Sequence, residues 1–172
     1  MEYIRNKTPF NSNKFLNLAQ AVETYHRRTS PLTKGMPNED HEKRLQDILA
    51  TTSSDHHTYL TEALKYSNEL SLGSRLKDIL NSFKGTPLNV KFPTKKSGYD
   101  YRVVETRNYY THYSIEKEKL AFKGEDLERA TQSLFFILLC AIYRELGMFN
   151  GENSDLRYKQ LLKAFEYFER FS

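Results

Sequence analysis

The sequence predicts an all-α fold, a helical bundle organised around one long central apolar helix. Three observations carry that prediction. Apolar residues recur at three- and four-residue intervals through most of the chain. Small polar residues precede several of these stretches, and Gly or Pro follows them. Strand-like alternation is confined to residues 89–92, where Pro93 ends it.

The elements follow in order. Residues 1–12 show no period and are expected to be a lead-in or linker, with the helical domain at 13–172. Phe15, Leu18, Ala19 and Val22 space a first helix over 13–28, which Ser30-Pro31 stops. Pro31, Gly35 and Pro37 make 29–38 a loop. Leu45, Ile48 and Leu49 stripe a helix over 39–51. Ser53-Ser54-Asp55 is a cap signal for the next, over 56–70. A further helix is expected over 75–83, with Leu76, Ile79 and Leu80 inward.

Residues 85–98 hold Pro87, Pro93 and Gly98 and read as an extended loop. A helix over 99–113 follows, although Val103, Val104 and Thr106 prefer strands by intrinsic propensity. Glu116-Lys117-Glu118-Lys119 reads as a solvated charged stretch. Gly124 leads into the longest predicted helix, 125–146, which Gly147 terminates. Asn153-Ser154-Asp155 caps the last helix, 156–171, with Leu161, Leu162, Phe165 and Phe168 on its apolar side.

Composition bounds the rest. A chain of 172 residues can bury a core without staples and is expected to form one domain. With 12 Tyr, 11 Phe and no Trp, that core must draw on Phe, Leu and Tyr. The single cysteine, Cys140, excludes an internal disulfide and lies in the apolar run 134–143, where it reads as a small buried hydrophobe. That run is shorter than the roughly 20 residues a bilayer span needs. The N-terminus carries no secretory signal pattern, so a cytoplasmic location is expected. No phosphate-binding glycine loop occurs, and His41, His56 and His57 lack partners at metal-ligand spacing, so neither cofactor nor metal is expected.

The net charge of +4 is unevenly placed. Residues 1–37 and 84–112 each carry six Lys/Arg against two acids, while 38–83 and 113–172 come to −3 and −1. Positive charge therefore concentrates in the N-terminal segment and around Arg107-Asn108-Tyr109-Tyr110-Thr111-His112, as suits a polyanionic ligand.

That hexapeptide is the chemical centre of the sequence. Metal-free RNA cleavage needs a base for the 2′-hydroxyl, an acid for the leaving 5′-oxygen and a cation for the phosphoryl oxygens. His112 suits proton transfer near neutrality. Arg107 offers a planar fork of donors that matches phosphate. Asn108 is placed to orient the histidine or hold the phosphate. On a helix Asn108 and His112 share a face, whereas Arg107 and His112 diverge by about 140°. That divergence points to a composite site shared by two copies of the chain. Tyr109, Tyr110 and Tyr113 are candidate stacking platforms for RNA bases, and Lys95 and Lys96 candidate backbone contacts. Ordinary packing tyrosines and solvating lysines are the alternative.

The Arg-Asn-x-x-x-His pattern ahead of a long apolar helix resembles the HEPN superfamily of all-helical domains. The first helix strengthens the likeness. Its end, Glu23-Thr24-Tyr25-His26-Arg27-Arg28, resembles the Glu-x-x-His-Arg-Arg ending of the opening helix in Apea-like HEPN domains. The resemblance implies a metal-independent endoribonuclease acting on RNA, tRNA being one candidate, and leaving a 2′,3′-cyclic phosphate. It implies a homodimer with facing motifs, Arg107, Asn108 and His112 as the catalytic set, an upstream sensor domain and a setting in phage defence or abortive infection. Glu23, His26 and Arg27 are candidate supports for Arg107 or His112. A HEPN-like domain that only dimerises or binds RNA is the second reading. A general helical interaction domain, the third, would fit a buried His112.

Overall fold

The computed structural model describes residues 8–90 and 98–171, and what it describes is all-α. Eight α-helices occur among the described residues: α1 Thr8–Thr29, α2 Asn38–Ala50, α3 His57–Leu64, α4 Leu72–Asn81, α5 Tyr99–His112, α6 Ile115–Glu118, α7 Gly124–Glu145 and α8 Ser154–Phe171. Short 3₁₀ turns occupy Ser54–His56 and Pro87–Val90. The chain forms two compact units, one from the segments up to Arg28 and from Leu72 onward, the other from Thr29–Ser71.

The larger unit holds the apolar core. Phe15, Ala19 and Val22 of α1, Leu76 and Ile79 of α4, Val103 of α5 and Leu134, Ile137 and Cys140 of α7 are all buried in it. α7 is buried along one side because Leu127, Ala130, Thr131, Leu134, Ile137 and Ala141 repeat at helical spacing. It ends in a Schellman motif. Gly147 takes φ 71°, its N–H bonds the carbonyl of Arg144, and the Met148 N–H bonds that of Tyr143 at 3.0 Å. The predicted terminator therefore acts through its tolerance of the left-handed region. α1 equals α7 in length, at 22 residues, and begins at Thr8, ahead of the expected start. Phe165 of α8 stacks on Phe136 at 3.9 Å between ring centres. The side chain of Phe168 lies outside the described residues.

The smaller unit is held by polar contacts. Asn68, buried, accepts the Met36 N–H through Oδ1 and donates from Nδ2 to the Met36 carbonyl, both at 3.0 Å. Its own carbonyl takes the Gly35 N–H at 2.8 Å, and Lys34 pairs with Glu69 at 3.0 Å. This is why α3 stops at Leu64 where the apolar pattern predicts a helix to 70. The side chain and carbonyl of Asn68 bind the loop at 34–36, a more specific use of the segment than another helical turn.

α5 is helical despite its strand-favouring residues, because tertiary contacts satisfy them. Val103 is fully buried. Thr106 Oγ1 donates to the Arg102 carbonyl at 2.6 Å and accepts the Phe122 N–H at 2.9 Å, so its buried hydroxyl stitches α5 to the segment before α7. The charged stretch at 116–119 is also more structured than expected. It includes the single turn α6, from which Lys117 Nζ reaches the buried Glu105 of α5 at 2.7 Å. That contact raises the Lys117 pKa above its ordinary value.

Candidate active site

α5 is a regular helix through Arg107, Asn108 and His112, so its backbone imposes the expected divergence of Arg107 from His112. The Arg107 side chain offsets it. Nη1 donates to Asn108 Oδ1 at 3.1 Å. An arginine can only donate, so the contacting amide atom must be the oxygen, and Nδ2 takes no part in that bond. The guanidinium is thus drawn toward the helix face shared by Asn108 and His112. Asn108 is thus bound to Arg107.

His112 is exposed. It sits at the last position of α5. A buried histidine, which would have fitted a purely interaction-domain reading, is not what the structure shows. The chain turns sharply beyond it. Tyr113 adopts φ 50° and ψ 37°, and its N–H bonds the Tyr109 carbonyl at 2.6 Å. Tyr113 is the one non-glycine residue at positive φ among the described residues. A side chain in that region costs on the order of 1 kcal/mol or more.

The three tyrosines part company. Tyr110 packs against the core, and its hydroxyl donates to the Phe122 carbonyl at 3.3 Å. Burial, with a smaller push from neighbouring Tyr109, holds that hydroxyl above the usual tyrosine range. Tyr110 is therefore a packing residue, a correction to its expected stacking role. Tyr109 lies edge-on to Tyr110 at 4.9 Å and to Tyr113 at 6.1 Å, and Tyr113 is 72% exposed. Lys123 Nζ sits 5.3 Å from the Tyr109 ring centre and bonds Glu118 at 2.6 Å. The bond to Glu118 raises its pKa. Tyr109, Tyr113 and Lys123 thus form an aromatic and cationic surface next to His112. Lys123 escaped the sequence reading because nothing in its local pattern links it to Tyr109. Lys95 and Lys96 lie outside the described residues.

The residues of α1 also divide. His26 is buried, with Nε2 2.9 Å from Asp78 Oδ2 and Nδ1 3.3 Å from Arg75 Nη1. Since Arg75 can only donate, Nδ1 accepts and Nε2 carries the proton toward Asp78. His26 thus ties α1 to α4 and supports neither Arg107 nor His112 directly, contrary to expectation. Sequence reasoning could place Arg75 and Asp78 on one face of a helix but had no signal joining them to His26. Arg27 is exposed and pairs with Glu23 at 3.3 Å. Glu23 does approach the motif, because it and Arg107 line a common hollow of about 300 Å³ between α1 and α5.

Among the described residues, no cluster of three or more His, Cys, Asp or Glu is placed to hold a metal ion. No helix there is long and apolar enough to cross a membrane.

An all-α bundle carrying an Arg-Asn-x-x-x-His helix defines the class as HEPN-type. The chain matches the family model of Apea-like HEPN over residues 16–152, and it belongs to that family. No curated protein and no solved structure matches it.

Proposed function

We propose that this domain is a metal-independent endoribonuclease. The observation that carries the reading is the Arg107–Asn108 pair, which brings a fixed cation and an amide to the helix face of an exposed histidine. His112 takes the proton of the attacking 2′-hydroxyl as that oxygen bonds to phosphorus. The bond from phosphorus to the 5′-oxygen breaks, and an acid protonates the departing oxygen. Arg107 and the Asn108 amide nitrogen hold the phosphoryl oxygens while charge accumulates on them. The products are a 2′,3′-cyclic phosphate and a 5′-hydroxyl.

One histidine cannot be base and acid in the same step. A second copy of the chain, with its own His112, supplies the missing group, which supports a homodimer with a shared cleft. The surface of Tyr109, Tyr113 and Lys123 suits splayed bases and the RNA backbone. Membership of the Apea-like family supports a cytoplasmic role in phage defence or abortive infection, with an upstream sensor and RNA such as tRNA as target.

The test is incubation of the chain with tRNA and total RNA in EDTA, beside H112A and R107A, with the product ends analysed. Cleavage by the parent alone, leaving cyclic phosphates, is the expected result. RNA retained in a shift assay without cleavage would mark a binding domain. Activity abolished by EDTA would overturn the mechanism.

A further inference from the structure

The hollow between α1 and α5 has a construction that phosphate chemistry alone does not explain. Ala19 and Leu72, both buried, give it an apolar floor. Asn17, Gln20 and Glu23 stand above that floor on α1, at successive intervals of three residues that keep them on one side of the helix. Arg107 forms part of the opposite wall. At about 300 Å³ it lies near the small end of ligand pockets, roughly 300–1,000 Å³. An apolar floor with a few convergent polar groups suits a flat heteroaromatic ring whose edge carries hydrogen-bonding atoms.

The wall groups select which ring. A carboxylate can only accept hydrogen bonds, and the Glu23 side chain is 20% exposed, so its ligand should bring donors. Among the RNA bases, guanine presents two adjacent donors on one edge, N1–H and the N2 amine, matching the two oxygens of a carboxylate. Adenine and cytosine set an acceptor beside their single amine, and uracil flanks its N–H with two carbonyls. Glu23 is currently paired with Arg27, but that contact is 3.3 Å long and Arg27 is 52% exposed, so exchanging it for a base costs little.

We infer that this hollow is a guanine-recognition subsite, in which Glu23 accepts the N1–H and N2 amine of a base next to the phosphate held by Arg107. The inference rests on the RNA reading above and adds a base preference to it. Arg107 links the two, since it lines the hollow and bonds Asn108 on the reactive face.

Binding separates this inference from catalysis. The H112A chain is titrated by fluorescence anisotropy with five-residue oligoribonucleotides that carry guanine, inosine, adenine, cytosine or uracil at one position. Guanine is expected to bind roughly tenfold or more tighter than the others, inosine included because it lacks the N2 amine. Adding E23Q should remove that preference, bringing the guanine oligonucleotide to the same affinity as the other four. Equal affinity for all five, or an equal loss for all five with E23Q, overturns the subsite. Cleavage by the parent chain at every base alike would do the same while leaving the ribonuclease reading intact. No binding to any oligonucleotide would remove both.

Discussion

Arg107 Nη1 and Asn108 Oδ1 are joined by a 3.1 Å hydrogen bond between adjacent residues of α5. Neighbouring positions on a helix point about 100° apart, so only the reach of the arginine allows the contact. In the proposed ribonuclease mechanism these two groups, which the helix separates, hold the phosphate together. R107A should lower RNA cleavage by roughly 10²- to 10³-fold, as loss of a transition-state donor does. N108A should lower it about tenfold, and the double variant should lose less than the product of the two single losses, because the two side chains are bonded and hold the phosphoryl oxygens as a unit in that mechanism. Single-turnover rates for the four proteins would check this, and additive losses would refute it.

The two histidines of the motif helices predict opposite phenotypes. H26A removes an acceptor from the fully buried Arg75 guanidinium and should cost about 1.5–3 kcal/mol of stability. Well below its melting temperature it should cleave RNA at the parent rate. H112A should melt like the parent and not cleave. Melting curves beside cleavage rates decide it, and a stable but inactive H26A would return His26 to the site.

Thr106 closes a buried bridge between α5 and Phe122. T106V keeps the shape but leaves the buried Phe122 N–H without its acceptor, at about 1–3 kcal/mol. For a chain of this length each kcal/mol moves Tm by roughly 2–4 °C. T106S should recover most of the loss. Calorimetry of the three proteins tests the assignment.

Tyr113 should trade stability against binding. Y113G relieves a left-handed side chain and should melt higher, on the order of 1 kcal/mol more stable at most after the glycine's extra unfolded-state entropy. It also removes an exposed ring beside His112, and RNA affinity should fall by about 1–3 kcal/mol if that ring stacks on a base. A variant that melts higher and binds RNA as the parent does would show that Tyr113 only shapes the turn.

Burial pushes the Cys140 thiol up to about 12. Maleimide should therefore label the native chain slowly at pH 8 and the unfolded chain fast. Between the unfolded thiol's ordinary value near 9 and about 12, the unfolded chain loses this proton while the folded chain keeps it. Stability should fall with rising pH across that window, and C140A should flatten part of the slope.

Much of the architecture was legible because it depends on local periodicity. The stripe of α7 and its Gly147 stop, the first helix through Phe15, Ala19 and Val22, and the motif helix all follow from spacing and caps. The early end of α3 was hidden because Asn68 finds its partners more than thirty residues away, at Met36. Lys117 looked solvated for the same reason, since Glu105, its partner, lies on another helix.

The site divides along the same line. The sequence by itself determined the chemical types, an arginine, an amide and a histidine within two turns, and the family to which they belong. Only the tertiary structure decided their use. It turned His26 inward to Asp78 and Arg75, spent Tyr110 on packing, brought Lys123 to Tyr109 and set Glu23 in one hollow with Arg107. The physical reason is that a side chain's chemistry belongs to its residue, whereas its burial and its partners depend on which distant segments fold against it.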